Sequence, residues 1–257
     1  MKTVRLGLMM LGATALASCD GPKVTYDKTT TVPEMVSAPI TLKAGDGVEI
    51  FGRTYAATRP KAVVLLFHQA GSSKDEYTEI APRLRDAGYS AIAIDQRSGG
   101  SLYGDNETVA HLGKSNDYLD AKQDLQAALD FASRMKLPVI VWGSSYSSSL
   151  VFPLAVENPG KIKAILAFSP GEYFPDETLV KTAAAKVHVP VFVTSASDPK
   201  EIAEAKAVVA AVPGGRAEQY VPAIGFHGSS TLIAAKDPKG AEANWSAVMA
   251  FLRKVTP

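Results

Sequence analysis

From residue 62 onwards, apolar runs and amphipathic stretches alternate. Ala62-Val63-Val64-Leu65-Leu66-Phe67 is a continuous apolar run, the pattern of a strand buried on both faces in a parallel sheet. Asp75 to Ala87 has helical spacing at Tyr77, Ile80, Leu84 and Ala87 and stops at Gly88. Tyr89 to Asp95 reads as the next strand. Asn116 to Met135 reads as a long amphipathic helix with Leu119, Leu125, Ala128, Leu129 and Ala132 on one side. Val139 to Trp142 is a strand, followed by a serine-rich turn and a helix to about Glu157. Strands are expected at Ile162 to Phe168, over 189–195 and at Glu218 to Ile224, with helices at Ile202 to Val212 and Ala241 to Val255. Ahead of this series, Ile40 to Lys43 and Val48 to Ala57 have hairpin character. The alternation predicts one α/β domain over 39–257, with a doubly wound, mostly parallel sheet flanked by helices. No internal repeat is visible.

The start of the chain has a different pattern. Lys2 and Arg5 precede a short apolar run, Leu6 to Ala17. Twelve residues reach about 18 Å as a helix, against roughly 30 Å of bilayer hydrocarbon, so the run is too short to span. It reads as the core of a secretory signal. It ends in Leu16-Ala17-Ser18-Cys19, and Cys19 is the single cysteine of the chain. That end resembles the lipobox of a bacterial lipoprotein signal. The resemblance implies cleavage before Cys19, lipidation of its sulfur and amine, and an inner- or outer-membrane anchor with the domain outside the cytoplasm. Two or three acyl chains on one residue anchor stably, where one is marginal. Residues 1–18 are then a signal peptide. The polar stretch 19–38, with Thr29-Thr30-Thr31 and two prolines, is a tether.

Composition narrows the partners. With 257 residues, 46% hydrophobic and 21% charged, the chain is long enough for a sizeable core and has none of the marks of disorder. Lys+Arg 27 against Asp+Glu 26 offers no field for nucleic acid. One cysteine excludes a disulfide framework and a cysteine-based metal site. No Gly-x-x-x-x-Gly-Lys loop and no metal cluster is visible, so no cofactor is expected.

The candidate chemistry centres on Gly143-Ser144-Ser145-Tyr146-Ser147, placed between a strand and a helix. A serine-rich helix cap would also use these residues. In that position the segment resembles the G-x-S-x-G nucleophile elbow of the α/β-hydrolase family, with Ser147 in place of the second glycine. The resemblance covers nearly all of residues 40–257. It implies Ser145 as nucleophile and, in the family's chain order, Asp198 as triad acid and His227 as base. Glu201 and Asp176 are alternative acids. Asp198, Pro199 and Glu201 also read as N-cap, first-turn proline and third-position acid of the following helix. Phe67-His68-Gln69-Ala70-Gly71 resembles the family's His-Gly-x-Gly turn, with Gln69 where the first glycine usually sits. It implies the N–H groups of Ala70 and Tyr146 as the oxyanion hole, with Gln69 as alternative. His68 reads as an orienter of that loop, His188 as structural and His111 as exposed.

About 20 residues separate the strand ending at Phe168 from the next. That leaves room for a loop, Gly171 to Asp176, and one short helix around Glu177 to Ala185. A nearly lidless site follows, as in the dienelactone-hydrolase-like branch, although that branch typically uses a cysteine nucleophile. Arg97, Tyr103, Tyr173 and Phe174 are candidate pocket residues, with Arg97 open to a substrate carboxylate or to a salt bridge with Asp95 or another loop acid. The expected activity is hydrolysis of small esters or thioesters. The alternatives are a non-catalytic binding lipoprotein, an acyltransferase or a peptidase. Oligomeric state is left open.

Overall fold

The structure, a computed structural model, describes residues 37–257. The signal, Cys19 and almost all of the tether lie outside the described residues. β1 (Ala38–Lys43) begins at the last residue assigned to the tether and pairs antiparallel with β2 (Glu49–Tyr55). Six further strands follow: β3 (Val63–Phe67), β4 (Ser90–Ile94), β5 (Val139–Ser144), β6 (Ala164–Phe168), β7 (Val191–Thr194) and β8 (Ala217–Tyr220). They form one eight-stranded sheet in the order β1-β2-β4-β3-β5-β6-β7-β8. β2 meets β4 antiparallel, and every later neighbour is parallel.

The helices are α1 (Ile80–Asp86), α2 (Glu107–Leu112), α3 (Lys122–Ser133), α4 (Tyr146–Glu157), α5 (Leu179–Ala184), α6 (Pro199–Ala211) and α7 (Ala241–Val255). The period-2 pleat sends alternate side chains of each central strand to opposite faces. Val63, Leu65, Phe67, Val139 and Val141 pack with Leu125 and Leu129 of α3 and Leu150 of α4. Val64, Leu66, Ile140 and Trp142 pack with Leu84 of α1 and Trp245, Phe251 and Leu252 of α7. β3, β4 and β6 are coated on both faces and buried throughout, and apart from Ser90 their side chains are apolar.

Four elements differ from the sequence expectation. The helix expected over 116–135 opens with a 3-10 turn, Tyr118–Ala121, that leaves Leu119 exposed, and its α-helical part is α3. The helix expected over 75–87 splits into a 3-10 turn, Lys74–Tyr77, and α1. The turn is pinned inward: Asp95 accepts both the Lys74 N–H and its ammonium, and the Tyr77 hydroxyl donates to the Phe67 carbonyl. The loop over 98–114 contains α2, capped by the Asn106 side chain accepting the Val109 N–H and closed by Gly113 at φ 74°. Asparagine at the N-cap and glycine after the last turn are the residue types these positions favour. β8 stops at Tyr220 because Pro222, two residues on, has no N–H to offer the ladder. Between β6 and β7 the chain forms only the loop and short α5. Among the described residues no helix is long and apolar enough to cross a membrane.

The parallel strands end along one edge. Phe67 lies opposite Gly143, Ser144 opposite Phe168, and Phe168 opposite Thr194. The loops that follow β3, β5, β6 and β7 therefore converge, and ligand sites of open α/β sheets form in that crevice.

Candidate active site

Ser145 occupies the junction between β5 and α4 with φ 58° and ψ −127°. A positive φ in a non-glycine residue costs about 1–3 kcal/mol and persists only where the surroundings enforce it. Here the Ser145 N–H donates to the Phe168 carbonyl at the end of β6 (2.8 Å), and its carbonyl accepts the Ser148 N–H (2.9 Å). A side chain at Gly143 would overlap the backbone of Ser148, so the crossing of strand and helix requires glycine there. Ser147 stands where the motif has its second glycine. Its hydroxyl donates to the Phe67 carbonyl (2.7 Å) and accepts the Ser144 N–H (2.9 Å). The departure from glycine thus adds a strut between the elbow and the end of β3.

His227 Nε2 lies 2.8 Å from Ser145 Oγ, and its Nδ1 lies 2.8 Å from Glu201 Oε1. With a carboxylate on Nδ1, the proton sits on Nδ1, and Nε2 is left to accept the serine hydroxyl. The acid on His227 is therefore Glu201, not Asp198. Asp198 caps α6: its carboxylate accepts the N–H groups of Lys200 (2.9 Å) and Glu201 (3.2 Å), which turns it back onto its own helix. Glu201 is one turn further in, with a longer side chain. Its Oε2 accepts the Ala196 N–H (3.0 Å) and the Ser169 hydroxyl (2.7 Å), leaving Oε1 to the imidazole. Asp176 is exposed and bonded to Thr178.

Sequence reasoning missed Ser169. It too has a positive φ (56°). Its hydroxyl donates to Glu201 and accepts the Gly228 N–H (2.9 Å), so it couples the acid to the loop carrying His227. Only a serine directly after a strand marks it in the sequence.

Charge on this pair follows from the contacts. Burial alone would raise the Glu201 carboxyl, but the bonds from His227, Ser169 and the Ala196 N–H outweigh it and hold it down to about 2. The Glu201 bond raises His227 above its ordinary value, against the opposing effect of burial. A base must be neutral to accept a proton, so activity depends on the fraction of neutral imidazole. kcat/KM is expected to fall tenfold per unit as pH drops below the His227 pKa. The midpoint should lie above the ordinary imidazole value of about 6.5. Glu201 stays ionised throughout that range. A pH-rate profile with its acid limb below 6 would contradict this polarity.

The N–H groups of Ala70 and Tyr146 bind no acceptor among the described residues. The Gln69 N–H is committed to the Glu76 carboxylate (2.8 Å), which removes it as an oxyanion donor. His68 is fully buried. Its Nδ1 donates to the Gln69 carbonyl (2.8 Å) and its Nε2 accepts the Gln96 N–H (2.9 Å). Burial lowers it to about 4, so it stays neutral and fixes the loop. His188 is exposed, and so is His111, which lies 3.7 Å from Glu49.

Of the expected pocket residues, two are placed elsewhere. Arg97 is buried between Asp124 and Asp46 and bonded to both. Breaking a buried pair costs about 3–5 kcal/mol, and an exposed substrate pair returns at most about 1 kcal/mol. Arg97 is thus unavailable to a substrate carboxylate. Phe174 is buried in the core beside α4 and α5. Tyr103 and Tyr173 do border the site. The Tyr103 hydroxyl lies 2.6 Å from Ser230 Oγ, three residues beyond His227. The Tyr173 hydroxyl donates to the Ser169 carbonyl (2.8 Å). A groove of about 460 Å³ opens beside this loop between α5 and α6, with Gly171, Glu172, Lys200 and Glu204 on its walls.

The family model described as serine aminopeptidase, S33 (Hydrolase_4) matches residues 58–214, more than half of the chain. No curated protein sequence matches. Among solved structures, a dienelactone hydrolase from Anabaena variabilis superposes with a TM-score of 0.69 at 19% identity, covering 86% of this chain and 98% of that one. A thermostable carboxyl esterase from Bacillus coagulans gives 0.68 at 11%, covering 87% and 100%. An esterase from Pyrococcus furiosus gives 0.65 at 18%, covering 86% and 93%. At these identities the likeness is one of fold.

Proposed function

Because the chain belongs to the serine aminopeptidase S33 (Hydrolase_4) family of α/β-hydrolases, we propose that it is a serine hydrolase cleaving small carboxylic esters or thioesters through Ser145, His227 and Glu201. The observation that carries this is the unbroken chain of hydrogen bonds from Ser145 Oγ through both imidazole nitrogens to Glu201. Ser145 Oγ attacks the carbonyl carbon while His227 Nε2 takes its proton. The N–H groups of Ala70 and Tyr146 receive the negative charge on the tetrahedral oxygen. One such donor is worth about 10²–10³ in rate. His227 then protonates the leaving alcohol or thiol. Water, deprotonated by the same imidazole, releases the acid from Ser145. Glu201 holds the imidazole with its proton on Nδ1 and stabilises the imidazolium.

The esterase names of the similar structures and the open approach left by short α5 favour small esters. The family description favours a second reading, amide cleavage at a peptide amino end. The two are separated by assaying p-nitrophenyl esters of graded chain length beside aminoacyl-p-nitroanilides. A fluorescent fluorophosphonate should label Ser145 and block turnover. A folded protein that neither labels nor turns over would transfer the assignment to a ligand-binding lipoprotein.

We also propose that the domain is held at a bacterial membrane through lipidated Cys19, on the strength of Leu16-Ala17-Ser18-Cys19. Expressed in full in a bacterial host, Cys19→Ser should leave the membrane fraction and lose metabolic palmitate label. Membrane attachment unchanged in that variant would overturn the anchor.

A further inference from the structure

Glu76 is a buried carboxylate, 1% exposed, that the steps above do not use. It lies in the 3-10 turn after the oxyanion loop. Oε1 accepts the Ser144 hydroxyl (2.6 Å) and Oε2 accepts the Gln69 N–H (2.8 Å). Ser144 directly precedes the nucleophile, and Gln69 directly precedes Ala70. The Ser144 hydroxyl in turn accepts the N–H of Ser229 (2.9 Å), two residues beyond His227. A side chain at Gly228 would collide with Ser144 Oγ, so the base loop is packed onto the same point. One carboxylate therefore ties together the nucleophile, the oxyanion donor and the base.

We propose that Glu76 is a positioning residue for acyl transfer: its carboxylate sets the spacing of Ser145, the Ala70 N–H and His227 through Ser144 and Gln69, and its charge supports the imidazolium. This role rests on Ser145 acting as the nucleophile.

Two physical points support it. First, the N–H of Gln69 and the hydroxyl of Ser144 each give their hydrogen to the carboxylate. The Gln69 N–H is held down, and the next N–H in the loop is left for the substrate oxygen. Second, a buried carboxylate is costly unless it is hydrogen-bonded or paired, a requirement that holds the Ser144 hydroxyl and the Gln69 N–H to it. Burial pushes Glu76 up to about 7, partly offset by the bonds from Ser144, Gln69 and Ser72 and by the nearby His227. Its ionisable neighbours include His227, Tyr77 of its own turn and Tyr103 of the following loop, and His227 in turn faces Glu201 and Glu204 of α6. Burial, and secondarily Glu76 itself, raises both phenols, so they stay neutral. The influence of Glu76 on His227 is to favour the protonated ring.

The test is Glu76→Gln in the full chain, assayed with p-nitrophenyl acetate and butyrate from pH 5 to 9. Gln keeps the shape and loses the charge and one acceptor. kcat is expected to fall about 10–100-fold, the size of effect typical of a small displacement of reacting groups. KM should stay near wild type. The acid limb of kcat/KM should move to lower pH, because above about pH 7, where the Glu76 carboxyl is ionised, its charge favours the protonated His227 ring, and Gln removes that charge. A purely structural role would lower the melting temperature and leave the limb in place. Wild-type kcat with an unmoved limb in a folded Glu76→Gln would overturn the proposal. If Glu76→Gln does not fold, Ser144→Ala decides: it cuts one arm and keeps the charge, so kcat should fall with the limb unmoved, and wild-type kcat would overturn the proposal. A wild type that neither hydrolyses these esters nor labels at Ser145 fails at an earlier point. That result would remove the hydrolase reading itself, whatever the variants do.

Discussion

Ser145→Ala is expected to lower kcat for a p-nitrophenyl ester by about 10⁶-fold, the loss typical when the nucleophile of a triad is removed. The protein should keep its fold. The reason lies in which atoms hold the elbow. Phe168 and Ser148 bind the Ser145 backbone, and Ser147 and Gly143 make the crossing of strand and helix. Ser145 Oγ lies 2.8 Å from His227 Nε2 and faces the Tyr173 hydroxyl, and neither contact holds the elbow. Alanine meets the same positive φ as serine and adds no strain of its own. The residual rate should come from the oxyanion donors and binding, which alone give about 10³–10⁴ over water. Steady-state kinetics with active-site titration, beside thermal unfolding, checks both halves. Turnover in Ser145→Ala above about one part in a hundred would mean that the nucleophile is another serine of this serine-rich turn.

The second large effect separates two acids in one helical turn. Glu201→Gln should lower kcat about 10⁴-fold, the loss found when a triad acid becomes an amide. The local bonds explain why the amide is harmful. Oε2 of Glu201 accepts the Ala196 N–H, a donor that cannot reverse its role. The amide oxygen must take that place, which points the amide NH₂ at His227 Nδ1. The imidazole then has to carry its proton on Nε2, facing Ser145, and can no longer accept from it. Asp198→Ala should behave differently. It loses a helix cap worth about 1 kcal/mol, a shift of about 2–4 °C in melting temperature for a domain of this size. kcat should stay near wild type. The opposite pattern, with Asp198→Ala inactive and Glu201→Gln active, would reassign the acid.

Both acids were visible in the sequence as parts of one helix start, and their chain order before His227 was readable. The choice between them was not. Asp198 is occupied by its own helix, while Glu201 meets a histidine 26 residues away. Arg97 has the same character. Its neighbour Asp95 suggested a local pair, but its partners Asp46 and Asp124 lie 51 and 27 positions distant, and Asp95 is taken by Lys74. Phe174 beside Tyr173 reads as a second pocket aromatic, yet it turns into the core while Tyr173 turns to the site.

Pattern within one element's length settled the main strands, the helix Ala241–Val255 and the single, mostly parallel sheet, because burial of a face imposes a period that neighbouring residues share. The elbow was readable only as a resemblance, beside a serine-rich helix cap, and the close approach of Ser148 to Gly143 is what the structure adds. The partner of each polar side chain was decided by tertiary structure alone. The ends of β3, β5, β6 and β7 bring loops from distant parts of the chain to one edge. There, which carboxylate reaches His227 and which N–H is left for a substrate depends on distances of a few ångströms between segments that share no local pattern.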